Sequence, residues 1–215
     1  MSKLREEIIK RFRDPKYGYK GKYIFYKELK NEFPNITLNK VKEILDSNKD
    51  YSIYKPIPKK YLFPIYSRFH GTYQADLADM PVDDVTDHRY ILCVINVNTR
   101  YAFCFSSETK SIKDILPKIE KIILKLASEY NWMQKIYFDK GKEFENFDTQ
   151  NLLKKYGIEY NYNTPGEHRR QGIVERFIRT IKIKLKYYMK LNDTDCWAYV
   201  LQDFVNNYNN TYHRT

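Results

Sequence analysis

The sequence predicts an α/β fold, a mixed five-stranded sheet flanked by helices and preceded by a small helical region. Three observations predict it. Apolar residues in the first 50 positions recur at helical spacing. From Gly71 onward, three strand-like stretches follow one another closely. After them, helical and strand patterns alternate, as in sheets covered by helices. The 215 residues allow one medium domain with an appendage, or two small domains, and the 42% hydrophobic content is enough to bury a core.

Each element follows from its residues. Leu4, Ile8, Ile9 and Phe12 share one helical face, ended by "DPKYGYKG" with its Pro15, Gly18 and Gly21. A second face runs through Tyr26, Leu29 and Phe33 to Pro34, and Thr37 is the expected N-cap of a third helix with Leu38, Val41 and Leu45 inward. Three short basic helices fit a helix-turn-helix-like DNA-binding region over 1–50, and equally a small bundle that packs on its neighbour. Residues 51–70, with Pro56, Pro58 and Pro64, read as an extended linker, leaving 71–215 as the main domain. In that domain "TYQADLAD", "RYILCVINV" and "RYAFCFS" are strands, the last two joined by a two-residue turn at Asn98 and Thr99. A helix over about 111–129 turns Ile112, Ile115, Ile119, Ile122, Ile123 and Leu126 inward. The strand "KIYF" ends at Asp139, a helix spans about 149–156, and "GIEYNY" is the fifth strand. The basic loop "NTPGEHRR" leads into a long helix, and a final helix covers 195–208.

A net charge of +11 and a pI near 9.3 point to a polyanionic partner. Its distribution is uneven. Residues 1–70 carry +9, residues 71–165 carry −2 and residues 166–215 carry +4, so basic flanks enclose a slightly acidic middle. The scattered Cys93, Cys104 and Cys196 are an odd set that fits buried thiols in a reducing compartment. No apolar run is long enough to span a bilayer and no signal peptide opens the chain, so neither a membrane partner nor secretion is expected.

The chemistry centres on "QGIVERFIRTIKIKLKYYMK". At about 100° per residue, Gln171, Glu175, Arg179, Lys182 and Lys186 form one stripe, with Val174, Phe177, Ile181, Leu185 and Tyr188 opposite. The apolar stripe seats the helix, so the other is presented: an amide, one carboxylate and three cations in file. Asp76 within the first strand and Asp139 at the end of the fourth are two further carboxylates that folding can bring to Glu175. Three such acids make an oxygen-rich site suited to hard divalent cations, Mg2+ or Mn2+, two per site.

"YQADLADM", "YFDKGKEF" and "RRQGIVERFIRTIK" resemble the three signature blocks of the retrovirus-like DDE integrases. Asp139 and Glu175 have 35 residues between them, the separation of the last two acids in that family. The first block, the "DKG" of the second and the upstream "LDSNKDYSIYKPIPKK" are most similar to integrases of Maverick/Polinton elements and virophages. The resemblance implies an RNase H-like core with Asp76, Asp139 and Glu175 as catalytic metal ligands. It also implies 3′-end processing and strand transfer of element DNA into target DNA by a homo-multimer, in a host nucleus, virion or viral factory. Expected DNA contacts are Gln171, Arg179, Lys182 and Lys186, Arg169 and Arg170 in the basic loop, and Lys140 and Lys142 after Asp139.

The chain departs from retroviral enzymes in three ways. Residues 1–69 hold no His or Cys for a zinc domain, and Lys140 stands where those enzymes usually have Asn. The small barrel or chromodomain expected after the core is not within these residues, so a fragment is expected. Other acids are not expected to join the site. Asp79 faces away from Asp76 by alternation, Asp83, Asp84 and Asp87 are expected as solvated turn acids, and only Glu143 is placed for a supporting role. Two rival functions stay open: an RNase H-like nuclease without strand transfer, and a catalytically idle integrase-derived DNA-binding protein.

Overall fold

Alternating apolar residues pair five strands into one sheet in the computed structural model, which describes residues 3–17, 19–48, 67–163 and 171–212. The 51–66 linker segment and the loop with His168, Arg169 and Arg170 lie outside the described residues. Strands β1 (Thr72–Asp79), β2 (Tyr90–Asn96) and β3 (Ala102–Ser107) are antiparallel neighbours. Strands β4 (Lys135–Phe138) and β5 (Glu159–Tyr162) add parallel on the other side of β1, giving the order β3-β2-β1-β4-β5. Helices α4 (Ile112–Ser128) and α5 (Phe147–Lys155) connect the parallel strands, as parallel pairing requires.

The sheet faces differ because side chains alternate. Tyr73, Ala75, Leu77, Leu92, Val94 and Phe103 face a core completed by Ile115, Ile119, Ile122 and Leu126 of α4 and Leu152 and Leu153 of α5. The opposite face carries Gln74, Asp76, Cys93 and Cys104, the last three in one row across β1, β2 and β3. Helix α6 (Gly172–Asn192) meets this face through its first turn.

The β2–β3 connection differs from expectation. It is a four-residue loop, 97–100, closed by Asn96 N–H donating to Tyr101 C=O at 2.9 Å. Asn96 Oδ1 accepts from the N–H groups of Asn98 and Thr99, and Arg100 takes the left-handed conformation at φ 66°. That side-chain capping of the loop replaces a two-residue turn.

The described residues pack as two units, one with the sheet that runs up to residue 182 and one that joins the helices within 3–48 to residues 183–212. In the second unit, α1 (Lys3–Arg13), α2 (Lys22–Glu32) and α3 (Leu38–Asp46) bury Ile8, Phe12, Phe25, Leu29, Val41, Ile44 and Leu45. Phe25, not Tyr26, is the inward residue of α2; the phenol at Tyr26 stays half-buried and the purely apolar ring takes the core position. Thr37 caps α3 as expected, its side chain accepting from Lys40 N–H at 3.3 Å. The second half of α6 and α7 (Leu201–Asn209) belong to this unit, with Leu185, Tyr187, Trp197, Leu201 and Phe204 buried. The chain before α7 forms a 3-10 turn at Ala198–Val200, so the last α-helix begins later than residue 195. Among the described residues, no helix is long and apolar enough to cross a membrane.

Candidate active site

Strand register assembles the site. The last pair of the β1–β4 ladder is Ala75 with Phe138, so the next step brings Asp139 level with Asp76 on the adjacent strand. Register partners in a parallel pair point to one face, with strands about 4.8 Å apart. Asp76 is half-buried and Asp139 exposed at the strand end. Asp76 Oδ1 accepts its neighbour Leu77 N–H at 2.7 Å, and Asp139 Oδ1 accepts Lys140 N–H at 2.8 Å.

Glu175 arrives from α6. Gln74, two residues before Asp76 on the same strand face, reaches the first turn of this helix. Its Oε1 accepts the N–H groups of Ile173 at 3.2 Å and Val174 at 2.9 Å. Glu175 is the next residue and is exposed. The apolar side of α6 is buried as expected at Val174, Phe177, Ile181 and Leu185, with Tyr187 buried where Tyr188 was expected.

The acids act on one another. Burial pushes the Asp76 carboxyl up to about 6; the Leu77 N–H opposes that, and the charges of Asp139, Glu175 and Glu143 add to it. The charges of the other acids thus reach Asp76, with Asp139 first among them. Among the described residues, however, no three His, Cys, Asp or Glu side chains are gathered tightly enough to hold a metal ion.

Glu143 is the fourth acid of this neighbourhood. A Cβ on Gly141 would lie 2.5 Å from its carboxyl group, so only glycine lets that carboxyl fold over the turn after Asp139. Lys110 stands at the same edge. It bonds Asp79 at 3.1 Å and lies 4.9 Å from the Tyr90 ring centre. Burial pulls its pKa down, but the bond to Asp79, together with Glu143, leaves it raised.

The expected DNA contacts are placed unequally. Arg179 and Lys186 are exposed, Lys182 is half-buried near enough to Cys93 to act on it electrostatically, and Lys140 and Lys142 are exposed in the turn after Asp139. Gln171 is not presented. It is 4% exposed, and neither side-chain amide atom has a hydrogen-bond partner among the described residues. Asp83 also departs from expectation: it is 1% exposed, and its Oδ1 organises the turn by accepting from Val85 N–H, Thr86 N–H and Thr86 Oγ1–H. Those bonds replace water, so the acid is internal. Gln74 and Lys110 were missed from the sequence. The signal for Gln74 was its two-residue offset from Asp76, which puts both on one strand face.

The fold is that of a retroviral integrase catalytic core, an RNase H-like mixed sheet flanked by helices. It superposes on the catalytic core domain of BIV integrase with a TM-score of 0.52 and 20% identity, covering 68% of this chain and 88% of that one. It also matches a chain of the simian T-cell lymphotropic virus intasome, solved in complex with PP2A regulatory subunit B56 gamma, with a TM-score of 0.54 and 14% identity, covering 81% and 61%.

No protein-family model matches the chain. By sequence it is similar to a transposon-derived protein of Caenorhabditis elegans, 29% identical over 58% of this chain and 42% of that protein. It is 31% identical to the retrovirus-related Pol polyprotein from transposon 412 of Drosophila melanogaster, over 58% of this chain and 10% of that protein. It is 28% identical to the Gag-Pol polyprotein of Walleye dermal sarcoma virus, over 64% and 8%. The relatives are therefore transposon-derived and retroviral Pol proteins, and the chain spans less than half the length of each.

Proposed function

We propose that this chain is the catalytic portion of a DNA integrase, which trims the 3′ ends of a linear element and joins them to target DNA. What supports the reading is the β1–β4 register, which sets Asp139 level with Asp76, and the Gln74 bonds that hold the first turn of α6, next to Glu175, to the same strand face. Carboxylates that repel one another at a strand end suit hard cations, and the donor set fits Mg2+ or Mn2+. Asp76, Asp139 and Glu175 would hold two such ions. When bound, these supply Lewis acidity to the attacking and leaving oxygens of an in-line phosphoryl transfer.

The remaining residues position DNA. Arg179, Lys182 and Lys186 lie along α6 beyond Glu175, where they meet phosphates, and Lys140 and Lys142 flank Asp139. Arg169 and Arg170, which precede α6 in the sequence, complete this set; the buried Gln171 is not part of it. Two DNA ends need two sites, so the working form is a homo-multimer, acting where element and target DNA meet in a nucleus or viral factory. The helical region over 1–50 contributes basic surface for element ends. The "YQADLADM" and "DKG" blocks favour a Maverick/Polinton or virophage-type origin.

Glu143 favours one second reading. A fourth acid beside the trio is a feature of RNase H-like nucleases that cut without joining. An assay with blunt and pre-processed DNA ends separates the two. Mg2+-dependent joining by the wild-type chain, abolished in Asp139→Asn, is the expected result; cleavage without joining supports the nuclease, and joining retained by Asp139→Asn refutes the metal-site assignment.

A further inference from the structure

Resting on that reading of the acids, we infer that Gln74 is a positioning residue that pins the start of α6 to β1 and so sets Glu175 opposite Asp76. The first turn of a helix leaves N–H groups without intrahelical partners, and the residue before it normally supplies a cap to the second and third. Here the residue before Gly172 is Gln171, which lies in a 3-10 turn and whose side-chain amide makes no hydrogen bond among the described residues. The second and third N–H groups, those of Ile173 and Val174, are capped from about a hundred residues away by Gln74 Oε1. Gln74 is itself 2% exposed, so the bonds are shielded from water.

The placement makes this cap specific. Gln74 and Asp76 lie two residues apart on one strand face, and Val174 and Glu175 are consecutive on the helix. One side chain therefore ties together the two elements whose acids must meet. A cap supplied by the helix itself would fix the helix end but not its distance from Asp76. Elements supporting metal ligands tune affinity without touching the ion, typically by roughly 10- to 100-fold.

The test uses the full 215-residue chain with Gln74→Met, which keeps the volume and removes the acceptor, and Gln74→Glu, which keeps an acceptor oxygen. Ile119→Val, in the core on the other sheet face, controls for general destabilisation. Amide exchange at Ile173 and Val174 and Mn2+ binding by calorimetry are measured for each. Gln74→Met is expected to lose protection at both amides and weaken Mn2+ binding by roughly tenfold. Gln74→Glu is expected to keep the protection, and Ile119→Val the affinity. Unchanged Mn2+ affinity in Gln74→Met, or an equal loss in Ile119→Val, overturns the inference. Wild-type Mn2+ binding no tighter than that of Asp139→Asn defeats the reading of the site itself, and this inference with it.

Discussion

Replacing Asp76 by Asn should make the metal-free protein more stable while removing a group the proposed chemistry needs. The Asp76 carboxyl stands at about 6 in the fold against 3.8 ordinarily, chiefly through burial. A raised folded pKa means that the native state binds more protons between those values, so stability falls as pH rises from about 4 to about 6. Above pH 6 the cost is fully present. Each tenfold change in proton affinity is worth about 1.36 kcal/mol, so the rise at Asp76 sets a ceiling of about 3 kcal/mol. Because Asp76 is only half-buried, about 1–2 kcal/mol is the expected gain for Asp76→Asn at pH 7, or about 2–8 °C in Tm for a chain of this size. Asn retains an oxygen for the Leu77 N–H, so the comparison isolates charge. Urea unfolding in EDTA at pH 7 and pH 4, followed by circular dichroism, measures it. The advantage should shrink to nothing at pH 4. An Asn variant no more stable at pH 7, or a gap independent of pH, refutes the reasoning.

The buried amine of Lys184 makes a parallel prediction in the other unit. Burial, then the neighbouring Lys20, bring its pKa down to about 8, so stability should rise as pH increases from about 8 to about 10.5. Lys184→Met should stabilise the chain at pH 7 by about 1–3 kcal/mol, read by urea unfolding, with the gap closing by pH 10.5. For DNA, Arg179→Gln with Lys182→Gln should lower the slope of log affinity against log salt by about 2 in a fluorescence titration with duplex DNA, since each lost phosphate contact removes about 0.9.

Much of the fold was legible because one face of each element is buried. The strands appear where alternation or an apolar run announced them, and Ile115, Ile119, Ile122 and Leu126 of α4 point inward as their spacing requires. What escaped depends on distant partners. The β2–β3 loop is shaped by Asn96, whose side chain reaches forward to two backbone amides, and a dipeptide pattern does not encode that. Asp83 looked solvated because acids in turns usually are, yet it is buried by bonding its own turn. Of the candidate site, Asp76, Asp139 and Glu175 were named from block order and spacing, and the β1–β4 register sets the first two level on adjacent strands. Gln74 was not, because a glutamine in a strand acquires meaning only when a helix end a hundred residues later lands on it. Gln171 inverted the expectation for the same reason: periodicity gives the side of a helix, not what covers its first residue.

The most direct measurement is anomalous diffraction from crystals of the full chain soaked with Mn2+. Anomalous peaks flanked by Asp76, Asp139 and Glu175 together, absent in an Asp139→Asn crystal, are the predicted result. Peaks at other acids, with these three carboxylates directed apart in the soaked crystal, would contradict it.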